Sequence, residues 1–578
     1  MNAPASASRS GPPAPPSAIS PVRIRALNDA PVRGRQNAPR ESDSPRYVLY
    51  WMTSFRRLEW NHALERSVDW ARHLGLPLLV FEPLRIGYRW ASVRHHRFCL
   101  DGMREHAARL QGQRTGYYPY VEPSPDAGEG LLEALAARAA LVVTDDAPIF
   151  FLPRMRAAAA PRLPVRLEAV DSNGILPLAQ PGRDFTTAFS FRIHLHKTLP
   201  EWLEEGPAEH PLAGDPLPEF GGADLGALNS GASLSGASHS GTSGSGDAHA
   251  SPLDRLRAGV GADIVDRWPP ASPELLHDPA LTSLPLDRAV PPVPFAGGRA
   301  EASRRLARFV DGGLTGYATS RNHPDRAHAT GLSPHLHWGH VSSHEIVHAV
   351  LDREGWTPAG VAGAAGDRKP DGRRSGWWGL GADAEAFLDQ VITWRELGFN
   401  GAWRSAEAGV DPEAYDTLPG WARETLAEHE EDPRPHVYTR GEFEEARTHD
   451  PLWNAAQREL RQEGTIHNYL RMLWGKKILE WSETPRDALA TMIELNHRWG
   501  VDGRDPNSTS GIMWTLGRYD RGWPERAIYG KVRSMTSDST RRKVELKGYL
   551  ARFGDEPAGA AAAGADSQGS LFGDDDSP

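Results

Sequence analysis

The chain is poor in cysteine, holding one in 578 residues. A single thiol excludes an internal disulfide and any metal site built from several cysteines. It sits in Arg97-Phe98-Cys99-Leu100, a helical pattern in which a thiol packs as a small apolar group. Long apolar runs are missing too, since no stretch of about 18 consecutive apolar residues exists to span a bilayer. The first residues carry Arg, Pro and Ser without the apolar core of a secretory signal, so a cytoplasmic, nucleoid-associated protein is expected. A basic excess is also lacking, the net charge being -10. That value hides local asymmetry. Between Arg521 and Arg552 nine Lys or Arg face three Asp or Glu, whereas residues 555 to 578 hold six acidic residues and no basic one. A basic surface ahead of a separate acidic tail is compatible with binding phosphates, although such a charge run also describes an ordinary solvated helix face.

What is present divides the chain into unlike parts. Residues 1 to 45, rich in Pro, Ser, Ala and Arg without periodicity, are expected to be disordered. Residues 46 to 204 alternate strand-like and helix-like segments. Tyr47 to Met52, Leu76 to Phe81, Ala140 to Asp145 and Val165 to Val170 read as buried strands, and Trp60 to Leu74 as an amphipathic helix stopped by Gly75. That alternation predicts an α/β domain with a parallel, Rossmann-like sheet. From 205 to 290 the pattern fails, and the Gly/Ser-rich stretch 221 to 251 reads as a flexible linker. Residues 291 to 553 are predicted to be all-helical, with a Gly-rich inserted loop at 359 to 381, and 554 to 578 form an acidic tail.

Within the helical part, Thr330-Gly331-Leu332-Ser333-Pro334 precedes a helical pattern. Such a turn offers hydroxyls and free backbone N–H groups to an anion, as a pyrophosphate requires, but a simple helix cap has the same composition. Trp474 and Trp481 are seven apart. On a helix that puts both rings on one face about 10 Å apart, a separation suited to electron hopping and equally to core packing. His344-Glu345-Ile346-Val347-His348 is a literal H-E-x-x-H, which on a helix could serve a zinc hydrolase; among 23 histidines the pattern also arises by chance.

These segments fall in a recognisable order: Tyr317-Ala318-Thr319-Ser320-Arg321-Asn322, the Thr330 turn, Trp394-Arg395-Glu396-Leu397, Leu452-Trp453-Asn454-Ala455-Ala456-Gln457, Arg471 to Trp481, Asp502-Gly503-Arg504-Asp505, and Gly522-Trp523-Pro524-Glu525-Arg526. Together with Tyr50-Trp51-Met52, Val142 to Asp145 and Ile193 to Lys197 near the N-terminus, the series resembles the class II cyclobutane pyrimidine dimer photolyases, of the photolyase/cryptochrome family.

The resemblance implies a helical FAD-binding catalytic domain and light-driven repair of cyclobutane dimers in UV-damaged DNA by electron transfer from excited, reduced FADH⁻. It implies FAD contacts from Tyr317, Thr330, Gly331, Leu332, Ser333, Asp502 and Asp505, with Asn496 near the flavin N5, and a deazaflavin-type antenna as an open possibility. Glu396 is implied as the carboxyl that meets the dimer, stabilising the carbonyl as it gains charge, with a plain salt bridge as the alternative. Met472 and Trp514 would line the dimer pocket, and Arg321, Arg521, Trp523 and Arg533 would meet the lesion strand. Trp453 and Trp474 match relay residues, with Trp481 and Tyr438 beside them. Arg521 follows a segment one residue shorter than the family's usual loop.

The resemblance implies no metal and a monomer. A cryptochrome-like light sensor on the same fold is the main alternative, against which Asn496, Glu396 and the retained basic residues argue. Gln568 to Phe572, in the acidic tail, resembles the short peptides by which bacterial DNA enzymes dock on the sliding clamp.

Overall fold

A computed structural model describes residues 12–34, 44–214, 216–222, 251–326, 328–357 and 370–554. Six strands, β1 (Ile24–Ala26), β2 (Tyr47–Trp51), β3 (Leu78–Leu84), β4 (Gly116–Val121), β5 (Ala139–Asp145) and β6 (Leu167–Val170), form one sheet in the order β1-β6-β5-β2-β3-β4. All pairs are parallel except β1 with β6. Every residue of β2 and β5 is buried, as parallel strands covered on both faces require. The helix predicted to end at Gly75 runs His62–Leu74. Asn61 caps its start by accepting the Ala63 and Leu64 N–H groups, and Gly75 closes it with a left-handed φ of 59°.

Three expectations about the irregular segments are corrected. Residues 12–34, expected to be disordered with the rest of 1 to 45, are folded onto the sheet. Buried Arg23 donates to the carbonyls of Gly174 (3.3 Å) and Ile175 (2.5 Å), and Arg25 pairs with Asp146 (3.0 Å) while lying over the Trp403 ring. Segment 205 to 290 is not all linker. Helices Pro252–Val260 and Ala262–Arg267 put Leu256, Val260, Ile264 and Val265 into the core beneath the sheet, joined by Phe220 and Trp268. Part of the inserted loop is anchored as well, since Trp377 and Trp378 are buried and Trp377 stacks on His196 at 4.5 Å.

Among the described residues the elements from Arg299 to Phe553 are all helical, and their largest core gathers Trp453, Trp474, Trp481 and Trp499. Arginines stitch this half to the α/β half through backbone carbonyls, which satisfies otherwise orphaned buried acceptors. Arg94 reaches Leu460 (3.2 Å) and Trp499 (2.6 Å), and Arg57 reaches Gly339 at 3.2 Å while also holding Ser172 of its own half. Cys99 is fully buried, and burial pushes its thiol up to about 12. Among the described residues no helix is long and apolar enough to cross a membrane.

Candidate active site

A cleft of about 1220 Å³ is lined mainly by the helical half, with Thr187, Phe189 and Arg192 contributed by the other half; it is larger than the roughly 300–1,000 Å³ of ordinary small-molecule pockets. Its lining is of two chemical kinds. One part is polar: Thr330, Gly331 and Ser333 from the turn, facing Asp502, Asp505 and Arg471. Another is aromatic, apolar and basic: Met472, Trp514, Trp394, Arg321, Arg521 and Arg533. Tyr317 and Leu332 also lie on the wall.

The polar part is tied together. Gly331 adopts a φ of 65°, and a Cβ there would lie 2.5 Å from the Arg305 guanidinium that donates to the Gly331 carbonyl at 2.8 Å. Only glycine allows that approach. Ser333 donates to Asp502 at 2.8 Å, and Arg471 grips both oxygens of Asp502 at 3.0 and 3.1 Å. The helix following the turn, Ser333–His337, has only five residues, so hydroxyls and single N–H groups, more than a macrodipole, are what the turn can offer an anion.

Asn496 is behind this wall and not on it. It is 2% exposed, donates to Ser508 at 2.9 Å, and accepts from Arg471 at 3.2 Å. Sequence reasoning missed Arg471, which stands between Asn496 and the open space.

Glu396 departs further from expectation. It does not line the cleft; its carboxylate accepts the N–H groups of Ile175 (2.7 Å) and Leu176 (3.1 Å) in the α/β half. A Cβ on Gly174 would come within 2.8 Å of its carboxyl carbon. Burial raises its pKa to about 7, against the pull of those two N–H groups and of Arg395 and Arg23. The physical reason for the reversal is helix geometry. The chain runs as a π-helical turn over Asp389–Trp394 and then as an α-helix over Arg395–Glu407. Asp389, Gln390, Trp394, Arg395 and Leu397 line the cleft, while Glu396, two residues and so about 200° around the α-helix from Trp394, points away. Period-four spacing of Gln390 and Trp394 was a usable signal; the π turn was not.

Arg321, Met472, Trp514, Arg521 and Arg533 all line the cleft. Trp523 stands at the rim with Arg521 and Arg533 over its ring at 5.2 and 4.6 Å, and Arg533 also reaches over Trp514 at 5.8 Å. Cation–π contacts of this kind keep a half-buried indole oriented.

Trp453, Trp474 and Trp481 are buried beneath the cleft and none lines it. Trp474 and Trp481 lie on Asn468–Trp481, and Trp453 comes from the neighbouring helix Pro451–Glu463. The Trp453 indole donates to the Trp474 carbonyl at 3.0 Å, and its ring meets Trp481 at 6.1 Å; Trp481 in turn meets Tyr438 at 5.8 Å. Trp474 donates to Gln457 at 2.9 Å.

In the H-E-x-x-H segment, Glu345 is paired with Arg299 at 2.6 Å, His344 packs edge-on against His62, and His348 lies against Trp60. The glutamate is thus engaged as a structural ion pair, which is no arrangement for a zinc hydrolase. Residues Gln568 to Phe572 lie outside the described residues.

This architecture, an α/β domain joined to a helical domain with a deep cleft, is that of the photolyases. A crystal structure of a bacterial class III photolyase from Agrobacterium tumefaciens shares the fold, with a TM-score of 0.54 and 16% identity over 88% of this chain and 86% of that one. No family model matches the chain. Curated relatives are similar at greater identity: the deoxyribodipyrimidine photo-lyase of Methanothermobacter thermautotrophicus is 30% identical over 508 residues, covering 88% of this chain and 94% of the relative. That of Oryza sativa subsp. japonica is 30% identical over 545 residues, covering 91% and 89%. The chain belongs to the deoxyribodipyrimidine photo-lyase family. It is a DNA photorepair lyase, and the family's cofactor is FAD.

Proposed function

We propose that the chain repairs cyclobutane pyrimidine dimers in the manner of the class II enzymes, with FAD in the polar part of the cleft and the dimer against its aromatic wall. The observation that carries this reading is the cleft itself, with room beyond a single ordinary ligand and a lining that includes both hydrogen-bonding polar residues and aromatic and basic ones. FAD, when bound and reduced, supplies on excitation the electron that splits the cyclobutane ring.

The protein's part is to bind, orient and exclude water. Thr330, Ser333 and the Gly331 backbone suit the phosphates, while Asp502, held by Arg471 and Ser333, presents acceptors to N–H and hydroxyl groups. Asn496 supports this edge through Arg471 and Ser508. Met472, Trp394 and Trp514 offer apolar and stacking surface to bases turned out of the duplex. The dimer carbonyl needs a donor as it gains charge. Glu396 is not available for this, and the Gln390 amide, on the cleft side of the same helix, is suited to it. Arg321, Arg521 and Arg533 suit the lesion-strand phosphates, and Trp523 can fill the space the dimer leaves. Trp474, Trp453, Trp481 and Tyr438, linked by contact, would offer a path for electrons toward FAD.

Substrate choice tests the reading. The reduced, FAD-loaded protein is expected to clear a cyclobutane thymine dimer from an oligonucleotide under blue light and to leave a (6-4) photoproduct unchanged. The reverse preference overturns it.

A further inference from the structure

The aromatic path ends at a hydrogen-bonded tyrosine and histidine. Trp481 packs edge-on against both Tyr438 (5.8 Å) and His449 (4.9 Å). Tyr438 Oη lies 2.7 Å from His449 Nδ1 and accepts the His449 backbone N–H at 3.0 Å. The phenol is thus fixed in register with the imidazole by two contacts. Tyr438 is half-buried on the tryptophan core and His449 is exposed, so the pair spans the boundary between the buried path and water.

A phenol that gives up an electron becomes a strong acid and must lose its proton. A base within hydrogen-bond reach is therefore what separates a useful tyrosine donor from an inert one. We propose that His449 accepts the Tyr438 proton, making this pair the proton-coupled end of the electron path; the proposal rests on the relay reading of Trp453 and Trp481.

In this step one electron passes from Tyr438 to the Trp481 cation radical. Trp481 returns to its neutral form, the Tyr438 O–H bond breaks, and the proton moves to His449 Nδ1. A neutral tyrosyl radical and an imidazolium remain. The oxidant that first removes the electron from the tryptophans is oxidised, light-excited FAD. Reversal is slowed because the charge left at the surface is on a solvated imidazolium and not on a buried indole.

The surroundings keep the imidazole ready to accept. Burial and then His436, stacked on it at 3.7 Å, lower its pKa, as does Lys477; Asp450 and Glu480 act the other way. The balance leaves His449 neutral near pH 7. Lys477 is itself paired with Glu480 at 2.5 Å.

Electron paramagnetic resonance on the full, FAD-loaded chain tests this, with FAD oxidised and light supplied. Wild type is expected to give a tyrosyl radical whose formation slows as pH falls through the His449 pKa. Tyr438→Phe is expected to leave a tryptophan radical in its place. His449→Gln, at an exposed position, is expected to keep flavin content and thermal midpoint, to slow tyrosyl formation by about 100-fold, the low end of what a positioned base contributes, and to lose the pH dependence. Added imidazole should restore it in His449→Gly. A tryptophan radical in wild type that neither Tyr438→Phe nor His449→Gln alters overturns the proposal and leaves the tryptophan path standing. Absence of any protein radical, in wild type and Trp453→Phe alike, overturns both.

Discussion

Glu396→Ala distinguishes a carboxyl that serves the substrate from one that joins the two halves of the molecule. In the structure its two oxygens accept the buried N–H groups of Ile175 and Leu176. Removing them leaves two donors without partners where water does not enter, at about 1–3 kcal/mol each, so about 2–6 kcal/mol in all. Glu396→Gln keeps one acceptor and should cost about half of that. The pH dependence follows from the raised pKa. The folded-state value is about 7 against 4.5 for the ordinary group, so the stabilising contribution is fully present below 4.5 and is lost as pH rises through 7. The deficit of Glu396→Gln relative to wild type is therefore expected to be larger at pH 5 than at pH 8. Thermal midpoints at the two pH values measure this, with dimer repair per bound FAD measured alongside. The expected result is a lowered midpoint for Glu396→Ala with repair per FAD close to wild type. A wild-type midpoint with repair reduced a hundred-fold would refute the structural role and return Glu396 to the substrate.

Three further outcomes follow from the cleft. Arg471→Leu breaks the paired contact with Asp502 and the links to Asn496 and Ser508, so the ratio of flavin to protein absorbance should fall; full flavin content contradicts the assignment of that edge. Trp481→Phe should slow light-driven reduction of bound FAD while repair by chemically reduced enzyme stays unchanged. Arg533→Ala removes a cation from both Trp514 and Trp523. It should weaken binding of dimer-containing DNA by about ten-fold and lower the salt slope by about one, and an unchanged slope would place Arg533 away from phosphate.

The sheet was legible because its strands are short apolar runs between turn residues, and Gly75 marks a helix end by its own backbone freedom. Two strands were not. β4 (GYYPYV) has a proline inside it, tolerated because it lies on the sheet edge, and β1 owes its order to Arg23 and Arg25 reaching partners about 120 to 150 residues away. That the Thr330 turn and Asp502 are polar groups apt to face a ligand is legible locally, and both line the cleft. The direction of Glu396 was not legible, since it is set by backbone N–H groups of Ile175 and Leu176 more than 200 residues away. Nor was the interposition of Arg471, whose position is set by packing between three helices.

The most direct test of the central claim is repair itself. Full-length protein with reduced FAD is mixed with DNA carrying cyclobutane dimers, and remaining dimers are counted after equal times in blue light and in darkness. Loss of dimers in light, with none in darkness, is the predicted result; equal loss in both, or no loss in light with FAD bound and reduced, would contradict it.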